Sequence, residues 1–557
     1  CIRDSWLPVD VTWSGTVSGT MTRSFDSDLR VSGLTVQVGA DEKSWSYLYE
    51  DADGLLTNAG DLTLTRDTVN GLPTGTTLGS VFTSMTYTSF GEPHTFSASI
   101  DTTTLYEAAF LEHDKLGRIV RIQETIQGVS ETRRYVYDEA ERLDQVWVDE
   151  GLHIDHDYDA NGNRIRTFYP QSSLVINATY DVQDRLKTWG DATYEFDENG
   201  SLVSRSDASG TTTYLYDAQG ALRTVSLPDA TTIIYVIDPA GRRVGKSVNG
   251  IFQRGWLYQD GLNPVAELDP SGAIRAVFVY GGYTHVPDYM IVGGTTYRLI
   301  SDLRGSVRMV VDTTTGAVVQ RIDYDPWGRV LADSNPGFQP FGFAGGLYDP
   351  DTRLLRFGAR DYDAEVGQWT ARDPLMFAAG DSNLYHYCGS DPLNCIDPQG
   401  LVRWYYRPGH SGYMDWAEGS TGHFIAGMGE GLSLGYGYGL RKYYEWLTDE
   451  QFINPCYSGT MNSGRKVGAV ITLTLIGGSV VSARAQAQLT KRVSSEALHA
   501  VLKHALKGGT TAEGMRVLDR VRHVPQGPGT KGWPTYRPGG GGGLLFGLDD
   551  GGDWGVY

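Results

Sequence analysis

The sequence has 557 residues, several times the size of an ordinary domain, and this length predicts more than one folding unit. A formal net charge of -20 excludes a chain that coats nucleic acid along its whole length, because phosphate binding needs a basic surface. The four cysteines are too few for a disulfide scaffold and lack partners at zinc spacing, so we expect no metal and no cofactor.

Residues 1–110 are rich in Thr, Ser and Gly, a composition that favours short strands joined by tight turns. We expect them to be degenerate β-repeats at the start of the sheet that the next segment defines. The chain begins with Cys1 rather than Met, which we interpret as a fragment or a processed product.

Residues 111–280 repeat a unit in which an aromatic residue precedes an aspartate and Gly, Arg and an aliphatic residue follow. Each unit predicts a β-hairpin, because Asp accepts a hydrogen bond from the backbone two residues on and Gly tolerates positive φ. The aromatic ring is expected to stack on its counterpart in the next unit. Clear examples are Tyr137-Asp138 with Arg142-Leu143, Tyr158-Asp159 with Gly162 and Arg164-Ile165, Tyr180-Asp181 with Arg185-Leu186, and Tyr216-Asp217 with Gly220 and Leu222.

A β-sandwich with regularly spaced turns is the alternative fold for these units. Sandwiches do not repeat the same residues around each turn, whereas these units do. A single unit cannot bury a face alone, so consecutive units must pack on one another. The sequence therefore predicts a mainly β protein with one spiralling sheet.

Residues 281–401 carry more closely spaced motifs and end on an Asp-Pro-x-Gly-Leu element. The motifs are Asp302-Leu303-Arg304-Gly305-Ser306, Tyr324-Asp325-Pro326-Trp327-Gly328, Arg356-Phe357-Gly358-Ala359-Arg360-Asp361, Arg372-Asp373-Pro374, Asn383-Leu384-Tyr385 and Asp397-Pro398-Gln399-Gly400-Leu401. Together with the repeats they resemble the YD-repeat (Rhs) family of bacterial Rhs proteins, insecticidal toxin-complex C components and teneurins. The resemblance implies a β-sheet that spirals into a hollow shell. Two departures, Gln368 for the usual Arg and Cys388-Gly389-Ser390 before Asp391-Pro392, remove no proposed catalytic group.

The same resemblance implies that the chain cuts itself after the closing element, at the Leu401–Val402 bond, by aspartyl chemistry. By motif, the two carboxylates are Asp373 and Asp397. Two adjacent carboxylates cannot both ionise cheaply, so one can act as base and the other as acid. Arg372 is expected to orient a carboxylate or stabilise the oxyanion, with Arg360 and Asp361 as second-choice participants. The alternative is that these Asp-Pro pairs only start turns, as those at 269, 325, 349 and 391 do.

Residues 402–481 form a Gly-rich, apolar linker, and residues 482–557 a variable tip that we expect to be a small α-rich or α+β domain. Within the linker, residues 467–481 are nearly uncharged but too few to cross a bilayer unaided. We interpret them as a buried helix, with membrane insertion as the alternative. Residues 495–507 predict an amphipathic helix, and the glycines at 539–543 a loop.

The tip is basic, with ten Lys and Arg against three acids between residues 484 and 537. A basic tip on an acidic chain suits a payload aimed at nucleic acid. One hypothesis is a metal-free ribonuclease that uses His499, His504, His523 and Lys531 as acid, base and phosphate clamp. Ordinary packing or solvated roles for these histidines remain the alternative.

Two functions follow from these patterns. The first is a toxin carrier whose shell encloses its own C-terminal peptide and severs it at Leu401. It would be secreted or displayed by a bacterium, would deliver the tip into a target cell, and would need a secretion or delivery apparatus and an immunity protein. The second is a surface adhesion protein whose repeats bind carbohydrate or another cell. The closing motif, followed by an abrupt change of composition, favours the first.

Overall fold

The computed structural model describes residues 9–405 and two short strands near the end of the chain. It divides into two compact units, Cys1–Ala417 and Glu418–Tyr557. The described part of the first unit consists of strands, turns and three short 3-10 helices, Phe343–Gly345, Met376–Ala379 and Cys388–Ser390. The predicted mainly β fold is confirmed.

Thirty-one strands of the first unit form one antiparallel sheet in which each strand pairs with the next along the chain. The first ten, which include the segment predicted as degenerate repeats, are β1 (Asp10–Trp13), β2 (Gly19–Phe25), β3 (Val31–Val38), β4 (Asp41–Tyr49), β5 (Leu56–Ala59), β6 (Leu62–Arg66), β7 (Pro73–Leu78), β8 (Val81–Tyr87), β9 (Pro93–Ile100) and β10 (Thr103–His113). The next eleven are β11 (Ile119–Ile126), β12 (Val129–Tyr137), β13 (Leu143–Val148), β14 (Gly151–Tyr158), β15 (Arg164–Tyr169), β16 (Leu174–Tyr180), β17 (Leu186–Trp189), β18 (Ala192–Phe196), β19 (Leu202–Asp207), β20 (Gly210–Tyr216) and β21 (Leu222–Ser226).

The last ten strands of this sheet are β22 (Thr232–Ile237), β23 (Arg243–Val248), β24 (Ile251–Tyr258), β25 (Pro264–Leu268), β26 (Ile274–Val279), β27 (Tyr289–Val292), β28 (Thr295–Ser301), β29 (Val307–Asp312), β30 (Val318–Tyr324) and β31 (Val330–Asp333). A separate small sheet holds β32 (Leu347–Tyr348), β33 (Leu354–Phe357), β34 (Arg360–Asp363) and β35 (Gln368–Trp369). A two-stranded pair follows, β36 (Cys395–Ile396) with β37 (Trp404–Tyr405).

Each repeat turn is organised by the aspartate that the sequence pattern singles out. After β12, Oδ1 of Asp138 accepts hydrogen bonds from the backbone N–H groups of Ala140 at 2.9 Å and Arg142 at 3.0 Å, and Oδ2 accepts one from Nε of Arg142 at 2.7 Å. Glu141 has a φ of 66°, in the left-handed region that glycine occupies at the same position of other turns. One carboxylate thus fixes the turn and the arginine together. The same contacts recur at Asp26, Asp114, Asp181 and Asp238.

The aromatic residue of a unit packs under the arginine of the preceding turn, whereas the sequence pattern predicts ring-on-ring stacking. The Arg142 guanidinium lies 4.5 Å from the ring centroid of Tyr158, whose hydroxyl donates to the carbonyl oxygen of Leu143 at 2.6 Å. The aspartate holds the flat cation in place, so a cation–π contact becomes the link between units. Arg30 over Tyr49, Arg118 over Tyr137 and Arg242 over Tyr258 repeat it.

The sheet coils so that strands distant in sequence come into contact. Arg308 of β29 pairs with Glu124 of β11 through Nη1 and Oε1 at 2.9 Å, across 184 residues. The Tyr289 hydroxyl accepts a hydrogen bond from the backbone N–H of Asp61 at 3.2 Å, across 228 residues. These contacts join parts of the sheet that are far apart in sequence, as a spiralling sheet requires.

The residues that follow the large sheet, 334–405, are called the closing segment here. They pack against strands from the middle of the sheet. Tyr235 of β22 donates to Oδ2 of Asp349 at 2.6 Å, and the backbone N–H of Ile119 donates to Oδ1 of Asn394 at 2.8 Å. An aromatic cluster fills the space between sheet and segment: Tyr324, Phe343, Phe357, Tyr362, Trp369 and Tyr387.

In the second unit the structure describes one antiparallel pair, β38 (Phe546–Leu548) with β39 (Trp554–Val556). The predicted helix at 495–507, the uncharged run at 467–481 and the glycine loop at 539–543 lie outside the described residues. Among the residues that are described, no helix is long and apolar enough to cross a membrane.

Candidate functional site

Three charged side chains of the closing segment meet at one buried point. Nη2 of Arg360 lies 2.7 Å from Oδ2 of Asp373 and 3.3 Å from Oδ2 of Asp397. None of the three side chains is more than 7% exposed. One guanidinium nitrogen therefore bridges both carboxylates of the predicted pair.

The local backbone brings Arg360 to this point. Gly358, with a φ of +40°, makes the turn between β33 and β34, and the next residue, Ala359, donates its N–H to the carbonyl oxygen of Gln399 at 2.9 Å. This contact lays the Asp-Pro-x-Gly element along the start of β34. The guanidinium of Arg360 then rests 4.2 Å from the ring centroid of Trp369.

The predicted cleavage bond lies directly on this cluster. Oδ1 of Asp397 accepts hydrogen bonds from the backbone N–H of Leu401 at 3.0 Å and of Val402 at 3.2 Å. Nε of Arg360 donates to the carbonyl oxygen of Gly400 at 2.6 Å. The nitrogen of the Leu401–Val402 bond is therefore held by one carboxylate of the pair.

An ordinary Asp-Pro turn of the same chain shows what differs. In the turn at Asp325, Oδ1 accepts the N–H groups of the residues two and four positions on, Trp327 and Arg329. At Asp397, Oδ1 accepts those four and five positions on. The hydrogen bond from Val402 thus lies one residue beyond the turn, and its donor is the N–H group of the peptide bond predicted to be cut.

Burial controls the electrostatics of the cluster. It raises the pKa of Asp397, with the charge of Asp373 adding to the effect, while Arg360 and two backbone N–H groups oppose it. Burial likewise raises the pKa of Asp373, again against the opposing charge of Arg360. It also lowers the pKa of Arg360. Burial thus favours the neutral form of each carboxyl, whereas Arg360 favours the charged form.

The structure does not bring the other two predicted participants to the cluster. Arg372 is exposed, and its backbone N–H donates to the carbonyl oxygen of Gly200 at 3.3 Å. Asp361 is buried elsewhere, where it accepts hydrogen bonds from Arg243 at 2.7 Å and Arg356 at 2.9 Å. Arg360, a second choice by sequence, is the arginine that contacts both carboxylates.

A third carboxylate near the cluster was not singled out by sequence. Oδ2 of Asp381 lies 3.3 Å from Nη1 of Arg403 and 3.6 Å from Nδ1 of His386. Its position just before the Asn383-Leu384-Tyr385 motif is the one sequence signal that could have drawn attention to it. The predicted tip residues His499, His504, His523 and Lys531 lie outside the described residues.

A coiled antiparallel sheet of Asp–Arg turns, with a closing segment packed against it, defines a YD-repeat β shell. The family model of the teneurin YD-shell matches residues 9–393, and the chain belongs to this family.

Known proteins resemble parts of this chain. Teneurin-3 of Danio rerio is 31% identical over 305 residues, which cover 51% of this chain and 11% of that protein. The tRNA3(Ser)-specific nuclease WapA of Bacillus spizizenii is 28% identical over 278 residues, 48% of this chain and 12% of that protein. The chain thus spans only a small part of the length of these relatives. The crystal structure of TcdB2-TccC3-TEV matches with a TM-score of 0.55 at 16% identity, over 70% of this chain and 22% of that one, and shows the shared fold.

Proposed function

We propose that this chain is a self-processing shell that hydrolyses its own Leu401–Val402 bond and carries residues 402–557 as a toxin-like effector. The observation that carries the proposal is the contact of Asp397 with the amide of Val402, while Arg360 bridges Asp397 and Asp373. An aspartate that only shaped a turn would need neither a second buried carboxylate nor a shared arginine.

The proposed step is a hydrolysis in which the two carboxyls exchange protons with water and the leaving amine. Arg360 lies closer to Asp373 than to Asp397, so the ionised form is favoured at Asp373 and the proton at Asp397. Asp373 takes a proton from water, whose oxygen attacks the carbonyl carbon of Leu401. Asp397, beside the nitrogen of Val402, gives its proton to the amine as the C–N bond breaks.

Self-cleavage is tested on denaturing gels of the full chain. The unaltered chain should give two fragments, the smaller beginning at Val402 by amino-terminal sequencing. Asp373→Asn and Asp397→Asn should leave one full-length band. The matched control is Asp269→Asn, in an exposed Asp-Pro-x-Gly turn whose Oδ1 accepts the N–H groups of Ser271 and Ala273, and it should be cut normally. A chain with Asp373→Asn that still splits at residue 401 would contradict the assignment.

The effector part of the proposal concerns residues 402–557. Their basic stretch and the name of the WapA relative, a tRNA-specific nuclease, both support a tip that acts on nucleic acid. The chain would work outside the producing cell or at its surface, with a delivery apparatus and an immunity protein as partners.

Expressing residues 402–557 alone in bacteria tests the effector. Growth arrest with loss of RNA should occur, and alanine at His499, His504, His523 or Lys531 should relieve it if those residues act as acid, base and phosphate clamp. Harmless expression in several hosts would count against the carrier function.

Carbohydrate binding is a second candidate, supported by one cavity in the shell. A cavity of about 220 Å³ is lined by residues that include Lys246, Gln253, Trp256, Tyr324 and Tyr348. Aromatic faces beside a few polar groups suit a small hydroxylated ligand. Screening the full chain on a glycan array tests this, with Tyr348→Ala expected to abolish any signal; an array without binding would remove the candidate.

A further inference from the structure

The residues just after the predicted cut are fixed by contacts of their own. Trp404 and Tyr405 form β37, which pairs with β36 in the register Ile396 to Trp404 and Cys395 to Tyr405. The Trp404 side chain is partly buried against the hydrophobic core that contains the aromatic cluster. Directly beyond residue 402 the chain is therefore paired with an earlier strand of the closing segment.

The side chain of Arg403 adds an electrostatic contact. Its Nη1 lies 3.3 Å from Oδ2 of Asp381. A Cβ at residue 389, where glycine has a φ of +59°, would collide with that nitrogen. The absence of a side chain at Gly389 leaves the space that the guanidinium occupies.

Asp381 is itself held in place to receive this arginine. Its Oδ1 accepts the backbone N–H of Asn383 at 3.0 Å, and its Oδ2 lies 3.6 Å from Nδ1 of His386. Burial opposes its ionisation, but the contact with His386, the backbone N–H of Asn383 and the charge of Arg403 leave the pKa of Asp381 below its usual value. Asp381 is thus an ionised, oriented acceptor.

We propose that Asp381 is a positioning residue for self-cleavage: by holding Arg403, it fixes the downstream side of the Leu401–Val402 bond on Asp397. The inference rests on the proposed function. Upstream, Arg360 already holds the carbonyl oxygen of Gly400. The bond to be cut is then held on both sides, by the contact of Arg360 with Gly400 and by that of Asp381 with Arg403. Such positioning matters because a small displacement of a reacting group can lower the rate about a hundredfold.

A double-mutant cycle tests the pair in the full chain. Arg403→Gln and Asp381→Asn should each slow the appearance of the 1–401 fragment after cell-free synthesis about tenfold, and the double variant should be no slower than either. Arg403→Lys, which keeps the charge, should stay within about threefold of the parent. Additive effects, or Arg403→Lys as slow as Arg403→Gln, would overturn the proposal.

The matched control is Arg223→Gln. Arg223 makes a similar ion pair with Asp217, at 3.4 Å, in a turn of the large sheet. This change should not alter the rate. If it slows cleavage as Arg403→Gln does, the effect reports general loss of folding and the positioning role is wrong.

Hydrogen exchange separates this inference from the proposed function. In chains made uncleavable by Asp397→Asn, adding Arg403→Gln should speed amide exchange at Trp404 and Tyr405 by about tenfold. Unchanged exchange would overturn the anchoring role even if cleavage occurs. Faster exchange, together with a parent chain that never cleaves itself, would support the anchor and refute the self-cleavage.

Discussion

A Cβ on Gly400 would lie 2.5 Å from the carbonyl oxygen of Phe357. Gly400 also has a φ of +63°, in the left-handed region. The Asp-Pro-x-Gly element therefore fits against the β33–β34 hairpin only with glycine at this position.

Gly400→Ala should accordingly abolish cleavage, because the added methyl group must push the element away from Arg360. Gly272→Ala is the matched control: it occupies the same position of an Asp-Pro-x-Gly turn, has a φ of +83°, and has no atom within 4 Å of the added Cβ. That change should cost about 1 kcal/mol of stability and leave cleavage intact. Normal processing of Gly400→Ala on a gel would contradict this account.

Cleavage should also depend on pH through the carboxylate pair. Burial raises the pKa of both Asp373 and Asp397, so the singly protonated state extends to higher pH than for exposed aspartates. Cleavage should slow as the pH rises through the higher apparent pKa of the pair, where the acid is lost, and as it falls through the lower, where the base is lost. Following fragment appearance while the unfolded chain refolds across a pH series measures both limbs. A rate that keeps increasing with pH would refute the two-carboxyl chemistry.

Asp361 should prove structural. Its side chain, 0% exposed, is paired with Arg243 of β23 and Arg356 of β33, so it ties the closing segment to the large sheet. Asp361→Asn leaves two buried guanidinium groups without a counter-charge and should lower the free energy of unfolding by about 3 kcal/mol. Denaturant unfolding measures the loss. Chains of this variant that do fold should still cut themselves. A well-folded variant that remains uncut would show that Asp361 takes part in the cleavage.

His285 should weaken the shell in acid. Burial is the main cause that lowers its pKa to about 4 from the usual 6.5, and its Nε2 lies 2.9 Å from the carbonyl oxygen of Arg304. The unfolded chain binds the proton below about pH 6.5 and the folded chain only below about pH 4, so stability falls as the pH decreases through this window. The full loss is about 3 kcal/mol.

His285→Gln, which keeps a donor for Arg304, tests this. Unfolding in denaturant at neutral and acidic pH should show a smaller loss of stability in the variant than in the parent. Equal losses would mean that His285 does not set the acid sensitivity.

The repeat turns could be predicted from sequence because each depends on residues within five positions. Asp138 and Arg142 are local partners, so their spacing alone indicates the turn. The packing of Arg142 on Tyr158 could not be predicted, since it depends on how one hairpin lies on the next. The sequence pattern predicted that the aromatic rings of successive units contact each other. In the structure the guanidinium of Arg142 packs on the ring of Tyr158 instead.

The carboxylate pair could be named from motifs, but among the arginines the motifs favoured Arg372 and gave Arg360 only as a second choice. Arg372 adjoins Asp373, and neighbouring side chains of an extended segment point to opposite sides, so adjacency argues against contact. Arg360 reaches the pair only because β33 and β34 fold back at Gly358. Asp381 and Arg403 likewise meet across 22 residues, with no spacing rule to indicate it.

The large sheet and the closing segment differ in how far along the chain their contacts reach. Pairing between successive strands is local and forms readily, whereas the bond from Ile119 to Asn394 spans 275 residues and must await both partners. The contacts of Arg360 with the two carboxylates span at most 37 residues, but the closing segment that carries them packs against the sheet through such long-range bonds. The proposed cut would therefore report the completion of folding. The cleaved fraction of a preparation would equal the fraction of chains in which the closing segment has packed against the sheet.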